Sequence, residues 1–465
     1  MVVGVLPGIG QSGGMALLIP ITYALPPAGA IIMLACIYYG GAYGGRITSI
    51  LMNIPGESES IVTCIDGYPM ARQGRGGIAL SITAITSAIG AILAVFALAF
   101  AAVPLSNLAR NLGPPEYFAL MILGLCLVVA LIEKSLLKGL MMVALGLFLA
   151  QVGMDPLQGS ARFTFGSRDL LEGIPLLAVI MGFFGVSDVL ISAGKRHTPY
   201  LVGKIDRILP NKEDLKTSTA PMFRGAFIGF IFGLIPGMIG TVTTFASYAT
   251  EKRFSKNPEK FGKGALPGVV GPETSNKSFE IASFIPLFTL GIPGGAALAI
   301  LLSAFMIQGV TPGPMMFTDS PDIIWAVIAS MVIGNIILLI LNFPLVKMWV
   351  QILRVPPDIL GVVVILISVV GIYSVNKNLF DVLMLGVFAL IGCVLKLLKF
   401  PLPPLVLAFV LGAKIEGAFR QTLIFSQGDP LAFVKHPISG SVLAIAVALV
   451  IFLKSGRRKK SIVSS

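Results

Sequence analysis

Apolar runs near or above the ~20 residues of a membrane-spanning helix recur along this 465-residue chain and constrain its fold more than any other feature. They fall at 77–103, 117–132, 136–152, 174–193, 323–343, 359–375 and 438–453. Lipid offers no hydrogen bonds, so a spanning segment must satisfy its own backbone groups; runs of this length do so as α-helices. Composition agrees: 55% of residues are hydrophobic and 12% charged, against about 25% charged in soluble domains. Mean hydropathy is +0.92. The sequence predicts an all-α integral membrane protein in a lipid bilayer, with roughly 10–12 transmembrane segments.

The formal net charge of +12 is not a nucleic-acid signal. Basic residues gather in short loops and in the tail, as cytoplasmic segments do. The loop 194–216 (Lys195, Arg196, Lys204, Arg207, Lys212, Lys216) and the tail 454–460 are read as cytoplasmic. Cys36, Cys64, Cys126 and Cys393 show no metal-binding spacing and read as small core residues. No cleavable signal peptide is visible. The two histidines, His197 and His436, fall in predicted loops, and no HExxH, Walker A or GxSxG motif is present. The chain is therefore not read as an enzyme, and neither a metal site nor a cofactor is expected beyond a bound sodium ion.

The chain repeats itself. "GVLPGIG" (4–10) returns as "GLIPGMIG" (233–240), "NIPGES" (53–58) as "GIPGGA" (291–296), and "GPPEYFALMI" (113–122) as "VPPDILGVVV" (355–364); "GIPLLAVIMGFFGVSD" (173–188) has a looser echo in "PPLVLAFVLGAKIE" (403–416). Order is kept and the offsets are similar, which marks two homologous halves. The expected organisation is a first repeat 1–193, a basic connecting loop 194–218, a second repeat 219–415, and a C-terminal helix and basic tail 416–465. The second copy has a helix ahead of its Pro-Gly, whereas six residues precede Pro7, so the first helix reads as shortened or missing. Arg72 and Arg75 lie in the loop 66–76, while its partner near 311–322 carries Asp319 and Asp322. The loop 251–263 holds five basic residues; its partner near 20–27 is uncharged. Opposite charge suggests opposite sides of the membrane, hence inverted repeats with broken or re-entrant helices.

The breaks carry the chemistry. Proline removes a backbone donor and glycine permits unusual backbone angles, so Pro-Gly at membrane depth frees polar groups that something must use. Pro7-Gly8, Pro55-Gly56, Pro236-Gly237 and Pro293-Gly294 are four such breaks, paired by the repeat. Paired broken segments point to a central binding site, with helix N-termini aimed at anions and freed carbonyls at cations; individually each also reads as an ordinary surface turn. With Gly10, Thr48, Asn53, Ser58, Ser275, Asn276 and Gly291 they form the candidate substrate site. Glu57, Asp66 and Glu273 are the ion-coupling candidates, since an intramembrane carboxylate is functional by default; helix capping for Glu57 and Glu59, and a turn for Asp66, are the alternatives. Lys277 is expected to snorkel to the interface rather than meet an anionic substrate. Tyr38, Tyr39 and Tyr43 read as interfacial anchors or substrate contacts. Glycines 40, 41, 44 and 45 allow close helix contact or a further break.

At these residues the sequence resembles the large membrane subunit of the tripartite tricarboxylate transporters. The resemblance runs through "LPGIG…ALLIPITYALPP…IYYGGAYGGRITSILMNIPGES…TCIDGYPMARQGRGG", "YATEKRFSKNPEKFGKGALPGVVGPETSNKS…PLFTLGIPGGAA…GVTPGPMMF" and "PPLVLAFVLG…FRQTLIFSQGD", nearly the whole chain. It implies a bacterial inner-membrane permease working with a small four-helix membrane subunit and a periplasmic solute-binding protein. An ion gradient, of sodium or protons, would drive import of citrate-like tricarboxylates or related carboxylates. The family's glycine-rich motifs match residues 7–10, 53–56, 272–273 and 291–294. Two departures stand out: the family carries more sequence before "PGIG", and after Pro-Glu it shows a small residue and paired asparagines where this chain reads Thr274-Ser275-Asn276-Lys277. Transport by alternating access is expected, with an elevator-type slide as the motion. An ion or solute channel, and a carboxylate transporter without a binding protein, are the alternatives. Aspartyl chemistry needs two facing aspartates, and only Asp66 and Asp188 lie near first-half spans.

Overall fold

The computed structural model describes residue 4 and residues 10–131, 135–155, 158–193, 209–352 and 357–448. Pro7 and Gly8, most of the basic connecting loop and the basic tail lie outside the described residues. The described chain is helical apart from one short hairpin: α1 Gly10–Leu18, α2 Pro27–Met52, α3 Ile61–Arg72, α4 Gly76–Ala109, α5 Pro114–Leu131, α6 Leu136–Leu149, then strands β1 Gly153–Met154 and β2 Ala161–Arg162. There follow α7 Leu176–Ile180, which runs through a π-helical turn at Met181–Val186 into α8 Ser187–Ala193; then α9 Lys212–Gly233, α10 Gly240–Phe254, α11 Pro267–Ala282, α12 Phe284–Leu290, α13 Ala296–Ile307, α14 Met316–Asp319, α15 Pro321–Ile352, α16 Pro357–Asn376, α17 Leu379–Leu397, α18 Leu402–Phe425 and α19 Ala432–Lys435. Among the described residues five helices are long and apolar enough to cross a membrane (α2, α4, the 321–342 part of α15, α17 and α18), and shorter apolar helices accompany them. The protein is an all-helical, multi-pass membrane protein.

The core follows from the pattern. Phe284 and Phe288 pack edge-on with ring centroids 5.4 Å apart, Phe288 meets Phe305 of α13 at 6.0 Å, and Tyr38 of α2 closes on Phe284 at 5.8 Å. Such tilted aromatic pairs align ring edges with ring faces. Against this apolar mass lies α11, a helix of a different kind. Every residue from Gly268 to Ala282 is buried, including Glu273, Asn276, Lys277 and Glu280. What lets a polar helix sit so deep is close approach by its neighbour: Gly225, Gly229 and Gly233 of α9 follow at four-residue spacing, and a side chain at any of them would strike the backbone of α11 at Gly271, Ser275 or Phe279. Small residues on one face bring two helices together in the way membrane packing favours.

Two of the repeat-related breaks end alike. Asn53 terminates α2 with φ 58°, and Gly291 terminates α12 with φ 67°. In both, a left-handed residue turns the chain so that its amide and the next return to carbonyls of the last helical turn: Asn53 and Ile54 to Thr48, Gly291 to Leu287 and Ile292 to Pro286. This is the usual helix stop, exposed at Asn53 and buried at Gly291.

Candidate functional site

After the breaks at Pro55-Gly56, Pro236-Gly237 and Pro293-Gly294 the chain starts new helices, and these starts converge with that of α1. A cavity of about 1230 Å³ is lined by Gly10, Gln11 and Ser12 at the start of α1, by Gly56, Glu57, Ser58 and Glu59 leading into α3, by Ile239, Gly240, Thr241 and Val242 at the start of α10, and by Gly294, Gly295, Ala296 and Ala297 at the start of α13. The first four N–H groups of a helix have no intrahelical partner. In α13 the first backbone bond runs from Ala299 N to Gly295 O, so the preceding amides are left for another acceptor. Helix N-termini carry about half a positive charge and favour anions. The cavity is also lined by Lys138, Lys396 and Lys399; Lys396 is held by Asp188 at 2.6 Å.

One helix start already has its anion. Glu57 Oε1 accepts the amide of Gln11 at 2.7 Å, so the chain's own carboxylate sits on α1. Ser60 closes the turn beneath it, its hydroxyl accepting from Glu57 N (3.2 Å) and donating to Glu57 O (2.9 Å). The starts of α10 and α13 carry no such carboxylate in their own sequence. Beside them, Asn276 of α11 lines the cavity; it is 8% exposed and its Oδ1 has no partner.

Behind the cavity α11 is tied to α2 by charge. Glu273 pairs with Arg46 (Nε to Oε2, 3.2 Å), both nearly fully buried, and accepts from the Thr63 hydroxyl. Arg46 also reaches Ser87 Oγ at 3.4 Å and covers the Tyr43 ring at 4.2 Å. One turn further along α11, Lys277 donates to Glu280 Oε2 and to the Tyr39 carbonyl, each at 2.5 Å, and lies 4.5 Å from the same Tyr43 ring. Glu280 Oε1 accepts from Gln11 Nε2 at 3.0 Å and from Asn276 Nδ2 at 3.4 Å.

Lys277 therefore does not snorkel. It is 1% exposed, because a carbonyl, a carboxylate and an aromatic face surround the ammonium inside the protein, so it gains nothing by reaching for water. Nor are Tyr38, Tyr39 and Tyr43 interfacial: they are buried at 6%, 1% and 0% exposure, Tyr38 lining the cavity and Tyr39 donating to Ser330 O at 3.1 Å. The glycines of α2 serve close contact: Gly45 faces Gly56, and Gly41 faces Gln11.

Of the residues singled out in the sequence, Gly10, Tyr38, Gly56, Glu57, Ser58, Glu59, Asn276 and Gly294 meet at the cavity. The others are placed around it. Thr48 donates to Gly45 O at 2.8 Å, Ser275 to Thr243 O at 3.4 Å, Pro55 lies in the exposed part of the break that Asn53 begins, and Pro293 in the buried break begun by Gly291. Pro236 and Gly237 form the turn before α10, where Gly237 (φ 76°) packs on Gly124. Asp66 lies elsewhere. Its Oδ1 accepts the amides of Gly262, Gly264 and Ala265 at 2.8–2.9 Å, and Oδ2 the Tyr248 hydroxyl at 2.9 Å, so it anchors the loop before α11. Sequence reasoning missed Arg46, Gln11 and Glu280. Glu280 was legible in part, since Lys277 and Glu280 stand at the i, i+3 spacing of helical neighbours.

The decisive comparison matches residues 1–407 to the model of the tripartite tricarboxylate transporter TctA family. The chain belongs to that family. It is 44% identical over 461 residues to a 52.8 kDa protein of the TAR-I ttuC' 3' region of Agrobacterium vitis, covering 98% of this chain and 92% of that one. It is 43% identical over 234 residues to a protein of the TAR-II ttuC' 3' region of the same organism, 50% of this chain and 97% of that one. No solved structure matches. Membership of the TctA family makes the chain a transporter component rather than an enzyme.

Proposed function

We propose that this chain is the permease subunit of a tripartite secondary transporter that imports a citrate-like tricarboxylate or a related small carboxylate across the bacterial inner membrane. The observation that carries the reading is the convergence of four helix starts on one cavity. The one at Ala296 offers amides to a substrate carboxylate, and the unpaired Asn276 Oδ1 is available to a substrate hydroxyl or to a protonated carboxyl. Lys138, Lys396 and Lys399 on the cavity wall attract an anion. Glu57, Glu59 and Glu280 on the cavity wall repel a bare carboxylate, so a cation must enter with it; sodium or proton symport meets that need. A small four-helix membrane subunit and a periplasmic binding protein complete the system in this reading. The two halves, 1–193 and 219–415, act as inverted repeats whose breaks supply matching sides of the site.

The test is uptake of labelled citrate and a panel of di- and monocarboxylates by cells expressing this chain with its neighbouring small subunit and binding protein. Saturable accumulation is expected, with KM raised about ten-fold or less by Asn276→Ala, the scale of one hydrogen bond. Failure to accumulate any carboxylate refutes the reading, and unsaturable flux that stops at equilibrium identifies a channel.

A further inference from the structure

The Lys277–Glu280 pair is placed unlike the other buried pair on the same helix. Arg46–Glu273 faces away from the cavity, whereas Glu280 lines it with Lys277 directly behind. The ligands of the Lys277 ammonium are a main-chain carbonyl (Tyr39 O), a carboxylate oxygen (Glu280 Oε2) and the face of Tyr43. Carbonyl and carboxylate oxygens are the ligands of hard cations, and an aromatic face also holds a cation. Next to the pair, Asn276 lines the same cavity and is nine-tenths buried, with its Oδ1 packed beside Gly240 and without a partner.

We propose that the Lys277 ammonium is a resident cation, standing where a dissolved sodium ion would sit between the Tyr39 carbonyl and Glu280, so that the ion moved with substrate is a proton carried by Glu280. This rests on the reading of the chain as a gradient-driven carrier. In the loaded step a proton leaves cavity water and forms an O–H bond on the Glu280 carboxylate. Lys277 keeps its own proton, so the pair passes from zero to one positive charge and balances one carboxylate of the substrate. Release of that proton to water on the other side restores the pair.

The charged and titratable groups around the pair are few. Arg46 and Glu273 neutralise each other beyond Tyr43, and Glu57 and Glu59 stand on the cavity wall. Tyr38 and Tyr39 come from α2. Helix α9 faces α11 with Gly225, Gly229 and Gly233, its Arg224 being paired with Glu251 of α10. Helix α3 contributes Thr63 and Asp66, both already bonded, and α4 meets α11 with Gly90. Glu280 is the fully buried carboxylate with both an internal counter-charge and a face on the cavity; Asp188, paired with Lys396 on the same cavity, is about one-third exposed.

The experiment uses the full transporter in vesicles, with labelled-substrate counterflow measured beside net uptake. Counterflow reports binding and translocation without a gradient, so its absence for every carboxylate would sink the carrier reading itself. With counterflow present, wild-type net uptake should be unchanged when sodium is replaced by choline, and one pH unit of inward proton gradient should drive up to about ten-fold accumulation per proton carried. Net uptake that requires sodium overturns the proposal. Glu280→Gln should lose the response of net uptake to the proton gradient; retained proton-driven accumulation also overturns the proposal. Lys277→Asn should vacate the cation position and make counterflow or thermal stability respond to sodium but not to choline. Should Lys277→Asn fail to fold, the wild-type sodium test and Glu280→Gln still decide.

Discussion

Replacing Glu273 by glutamine keeps the size of the side chain and the acceptor for Thr63, and removes one charge. At 3.2 Å from Arg46, the lost attraction is about 5 kcal/mol at an effective dielectric constant of about 20. The guanidinium left behind stays buried, with one nitrogen (Nη2) already without a partner, and has no path to water. Breaking a buried pair by removing one partner costs about 3–5 kcal/mol, whereas replacing both partners with groups of similar volume is often neutral. Glu273→Gln should therefore lower unfolding free energy by about 3–5 kcal/mol, and Arg46→Met combined with Glu273→Gln should recover at least about half of that loss. The measurement is denaturant unfolding of purified single and double variants in mixed micelles, read by circular dichroism. A Glu273→Gln loss below about 1 kcal/mol, or a double variant no better than the single, refutes the assignment of this pair to holding α11 against α2. If instead stability is untouched and gradient-driven uptake disappears, Glu273 is an ion-coupling group and not a structural anchor.

Two further outcomes follow from local geometry. At Asn53, whose φ of 58° suits glycine and asparagine, Asn53→Gly should be tolerated, while Asn53→Val should cost about 1–2 kcal/mol or more; equal thermal stability of the two variants would remove the backbone from the account of this position. Asp66→Ala deletes the acceptor for three amides and a tyrosine hydroxyl, so hydrogen exchange at Gly262, Gly264 and Ala265 should quicken markedly; unchanged protection there would show that the loop before α11 is held by something else.

Hydropathy and the Pro-Gly breaks could be read without coordinates because they are local. A run of apolar residues, a missing amide hydrogen or a glycine constrains its own few turns wherever it lies, and so the helical membrane class and the places where α2 and α12 stop were legible. Glu57 was legible as a carboxylate near a break. What the sequence by itself left open was which partner each polar group would meet. Lys277, read alone, is a lysine in an apolar neighbourhood and should reach for the interface. In the tertiary structure Tyr39, Tyr43 and Glu280 meet around it, from segments as much as 238 residues apart, and make burial the better solution. Asp66 likewise looks like an intramembrane carboxylate until the loop near Gly262 closes on it. The physical reason is the same in both cases: the energy of a buried charge depends on the donors and acceptors within about 3 Å of it, and in a folded chain these come from segments whose meeting no local pattern records.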